Sequence, residues 1–139
     1  MNLNDFTVPQ SWGTMPAFTL FTSKIQPEKV LYEENGHPLL YTHLTKTGQL
    51  ALCYAASEGF AHDWVVVVPT TEMTVKALEE NTLPVRDALN QPWIWLMVQN
   101  AVTGWGFGRI PPNLEAIPED NLPRPGTLLF PTRLEEIKA

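Results

Sequence analysis

The residue types able to do covalent or acid–base chemistry are few: three histidines (His37, His43, His62) and one cysteine, Cys53. Together they match no zinc spacing, because there is no Cys-x-x-Cys and no His-x-x-x-His pair. A Cys–His nucleophile is conceivable. If Lys46-Thr47-Gly48 turns the chain between two strands, His43 and Cys53 fall roughly across from each other. A reactive thiol, however, needs a positive neighbourhood or a helix N-terminus. Cys53 lies between Leu52 and Tyr54, which reads as an inert core thiol. Gly104-Trp105-Gly106-Phe107-Gly108 has glycines at alternate positions, but no helix follows to offer its N-terminus to a phosphate. It reads as a strand with one bare face and Trp105, Phe107 and Arg109 on the other. That face is either a binding surface of aromatic and arginine type or the floor on which Trp93 or Trp95 packs. Asp63 and Asp87 are single acids beside turns, and no nucleophile elbow, phosphate loop or kinase set is present. The expectation is no catalytic residue, no cofactor and no metal. The candidate protein-binding residues are Trp12, Phe18, Phe21, Trp93, Trp95, Trp105, Phe107 and Arg109.

Those residues need a scaffold, and the composition supplies one. The 139 residues are 44% hydrophobic and only 17% charged, against about 25% charged in average domains. Net charge is −6, from 9 basic and 15 acidic residues. The basic residues are scattered, so no nucleic-acid face is expected. A single cysteine forms no intrachain disulfide, which suits a reducing compartment. The N-terminus lacks the basic start and apolar run of a signal peptide, and no apolar stretch reaches the roughly 18 residues that would span a bilayer. A cytoplasmic protein without membrane contact is the expectation.

Two segments are apolar on both faces: Trp64-Val65-Val66-Val67-Val68 and Trp93-Ile94-Trp95-Leu96-Met97-Val98. A strand facing core on one side and water on the other alternates, and these do not, so both sides need cover. Strands are expected at about residues 29–32, 39–45, 49–55, 64–68, 93–99 and 105–110. Asn35-Gly36 marks a two-residue hairpin, since a type I′ turn needs positive φ at both positions. Gly48 suits a left-handed position. A helical region spans about 71–89, with Thr70 or Thr71 as N-cap, Asn81 as its interruption and Thr82 capping a second short helix. A short helical piece is expected near 114–117, a last edge strand at 127–130 and a frayed turn at 134–138.

The pieces Pro38-Leu39-Leu40-Tyr41, Asp63-Trp64-Val65-Val66-Val67, Leu83-Pro84-Val85-Arg86-Asp87-Ala88-Leu89, Trp93 to Met97 and Leu122-Pro123-Arg124-Pro125-Gly126 recur in this order in a family of small bacterial domains of unknown function. The chain resembles that family over about residues 28–130. The resemblance implies a compact α+β domain and carries over no catalytic residue.

The fold expected is α+β: a twisted antiparallel sheet of five to six strands, with the helical insertion at about 71–89 packed on one face. Residues 1–27 are expected to form an aromatic, proline-containing arm, and 28–139 a single domain with a proline-rich tail. The second sheet face is then closed by the arm, the tail or another protein. The function expected is a non-enzymatic protein–protein interaction module, an accessory or inhibitory subunit of a bacterial or phage complex, or a homodimer. The alternatives are a small-ligand sensor with a tryptophan-lined pocket and an enzyme using Cys53 or His43.

Overall fold

The computed structural model describes residues 9–16, 27–34, 36–57, 62–100 and 104–129. Seven strands form one antiparallel sheet: β1 (Gly13–Pro16), β2 (Lys29–Glu34), β3 (His37–Leu44), β4 (Leu50–Ser57), β5 (His62–Pro69), β6 (Trp95–Asn100) and β7 (Gly104–Ile110), in the spatial order β1-β7-β6-β5-β4-β3-β2. The twisted α+β sheet read from the residues is present, with one strand more than expected. That strand, β1, comes from the N-terminal arm and pairs with β7 from Gly13↔Ile110 to Pro16↔Phe107. It is an edge strand, where proline is tolerated because one side of the backbone has no ladder to feed.

Short turns make the antiparallel order possible. Glu34↔His37 pairing leaves a two-residue loop, and Gly36 has φ of 79°. Between β3 and β4, Gly48 has φ of 85° and donates to Thr45 O, while Gln49 N donates to Thr45 Oγ1 at 3.1 Å. Helix α1 (Glu72–Glu79) starts at Thr71, whose hydroxyl accepts from Thr74 N at 3.2 Å. Asn81 ends it with φ of 63°. Thr82 does not cap the second helix: its hydroxyl donates back to Ala77 O at 3.1 Å and closes the C-terminus of α1. Helix α2 (Val85–Leu89) instead begins after Pro84 with no side-chain cap, and Val85 N donates to Thr127 O at 2.9 Å.

The register separates two faces. Paired residues share a face, so one transverse row is Leu40–Tyr54–Val66–Leu96–Arg109 and the opposite one is Tyr41–Cys53–Val67–Trp95. The first face carries the larger core, where Leu52, Val66, Val68 and Leu96 meet Leu78 and Leu89 of the helices. Leu114, Ile117, Leu122 and Leu129, from a strap over residues 113–129, complete it. The strap holds two 3-10 turns, Leu114–Ala116 and Glu119–Asn121, and Asn113 caps the first. Thr127 to Leu129 is not a strand, contrary to expectation; Thr127 O is occupied by the start of α2, and Phe130 and the 134–138 turn lie outside the described residues. The second face has its own cluster of Tyr41, Ala51, Cys53, Val65, Val67 and Met97, all buried within this chain. Val65 to Val68 of β5 and Leu96 and Met97 of β6 are thus buried on both faces within this chain.

Candidate functional site

The residues expected to form one binding surface are distributed between core and exterior. Trp12 is 7% exposed and belongs to the first core. Trp95 is half-buried against the second cluster. Arg109 is half-buried and shares the Leu96 row, on the face opposite Trp95. A register shift between Met97↔Gly108 and Gln99↔Trp105 interrupts the alternation of β7, so residues 105, 107 and 109 do not form one uninterrupted row. Met97, rather than Trp93 or Trp95, lies opposite Gly108. Phe18 and Phe21 lie outside the described residues, as do the side chains of Trp105 and Phe107.

Among the described residues of that expected surface, Trp93 is the one left exposed. It is 65% exposed and lies before β6, not inside it as expected. The cause is Pro69. Thr70 N donates to Leu50 O at 2.9 Å, so the preceding residue turns its peptide nitrogen toward β6. Proline has no N–H to give there, and the β5–β6 ladder stops at Val67↔Trp95. Two further apolar side chains are exposed at the same end of the sheet: Leu44 at 50%, where β3 ends, and Met73 at 83%, in the first turn after β5. Exposed apolar residues are ordinary one at a time; of these three, tryptophan is the type enriched at binding hot spots.

Cys53 and His43 are diagonal neighbours across β3 and β4 rather than directly opposite. Cys53 pairs with Tyr41, and His43 with Ala51. Burial pushes the Cys53 thiol far above its ordinary range, away from the thiolate that catalysis requires. Among the described residues, no group of three His, Cys, Asp or Glu gathers into a cation site.

Two features escaped the sequence reading. The first is Arg86, whose guanidinium forks onto Glu119: Nη1 to Oε1 at 2.5 Å and Nη2 to Oε2 at 2.9 Å. Nη1 also donates to Pro123 O at 3.2 Å, so one side chain ties the strap to α2 at two points. Arg86 is buried, and its hydrogen bonds hold the Glu119 carboxyl below the usual carboxylate range. Its place in Leu83-Pro84-Val85-Arg86-Asp87-Ala88-Leu89 is thereby explained as structural. The second is an apolar groove of about 250 Å³ between the β2–β4 end of the sheet and the strap, walled by Tyr32, Leu40, Tyr54, Val85 and Leu129. Tyr32 and Tyr54 flank Leu40 in one transverse row.

Comparison with protein-family models, with curated proteins and with solved structures yields no match for this chain. Among the described residues, no helix is long and apolar enough to cross a membrane.

Proposed function

We propose that this chain is a non-enzymatic protein-binding module, cytoplasmic, acting as an accessory or inhibitory subunit of a bacterial or phage complex. One observation carries the reading: Trp93 stands 65% exposed at the end of the sheet where Leu44 and Met73 are also exposed. Trp93 is left largely in water by a sheet that buries Trp12, and tryptophan is among the residue types enriched at binding hot spots. The partner is another protein or a second copy of this chain, and the bacterial setting rests on the family resemblance alone. The deeply buried Cys53 thiol favours a non-catalytic reading over a Cys53–His43 enzyme.

The test is Trp93→Ala in the full chain, with a tagged pull-down from the native host and absolute mass by light scattering. Loss of a stoichiometric partner, or of a dimer, with the thermal midpoint moved by no more than about 2 °C is the expected result; a surface truncation changes stability by about 0.5 kcal/mol or less. Unchanged association would remove this end of the sheet as the binding surface. A second reading, a small-ligand sensor, is favoured by the apolar groove, although tyrosines line it instead of the tryptophans expected. Thermal-shift screening with uncharged aromatic compounds addresses that reading, and Tyr54→Ala would abolish a true hit.

A further inference from the structure

We draw no further inference here: the strongest candidate, the apolar groove walled by Tyr32, Leu40, Tyr54, Val85 and Leu129 between the β2–β4 end of the sheet and the strap, has an uncharged lining that suits many apolar groups alike, and nothing in the structure shows what covers it.

Discussion

At the scale of single residues, the same side chain type serves opposite ends depending on its depth. Cys53 is 0% exposed, so its thiol has neither the water nor the positive charge that would stabilise a thiolate. A disulfide-exchange reagent added to the native protein should therefore react only as fast as the chain opens, and at once in denaturant. Prompt reaction of the folded chain would show an accessible thiol and revive the enzyme reading. Glu119 is a carboxylate whose pKa is lowered by the hydrogen bonds from Arg86. A depressed folded pKa means stability that is present above the ordinary carboxylate range and lost as pH falls through the folded value. Glu119→Gln should thus flatten the acid side of the thermal midpoint curve below about pH 5 while changing little of its slope near neutrality. An unaltered acid limb would show that the fork does not form. Because Glu119 is mostly exposed, its contribution should also shrink in high salt.

At the scale of elements, local chemistry explains most of what forms. The Thr71 cap, the left-handed Asn81 and the two glycine turns follow from the side chains themselves. Thr71→Ala should cost about 1 kcal/mol of stability by urea unfolding. Gly48→Ala should cost a similar amount, about 1–2 kcal/mol, through the backbone alone, since a Cβ there meets nothing within 4 Å. A neutral result at Gly48 would mean the turn relaxes out of the left-handed region. Boundaries were less legible. The position of Thr82 beside a helix start suggests a cap, but its hydroxyl reaches the carbonyl behind it, because Asn81 has already reversed the chain. Apolar character alone puts the start of β6 at Trp93, but the strand begins at Trp95, since Pro69 withholds a donor. Edge strand β2 shows a further device: register shifts around Tyr32, with Lys29, Glu33 and Glu34 along it, blunt an edge that would otherwise pair with another chain.

At the scale of the whole molecule, the decisive fact is that, among the described residues, both faces are buried at the centre of the sheet. Leu96 and Met97 are neighbours on β6, on the first and second faces, and both are 0% exposed. Leu96→Ala and Met97→Ala should therefore each destabilise the chain by about 2–5 kcal/mol in urea unfolding, measured at a concentration where light scattering reports a single chain. A near-neutral Met97→Ala would mean the second face is open in the monomer and waits for a partner. The sequence alone determined the antiparallel sheet, the turns at Gly36 and Gly48, the helical insertion between β5 and β6 and the need to cover both sides of β5 and β6. It did so because strand alternation, turn glycines and caps are properties of neighbours along the chain. Tertiary structure alone decided that Trp12 is core and Trp93 surface, that Tyr41 and not His43 lies directly opposite Cys53, and that Arg86 reaches Glu119 across 33 positions. Those outcomes rest on register and long-range packing, where a shift of one residue turns a side chain to the other face.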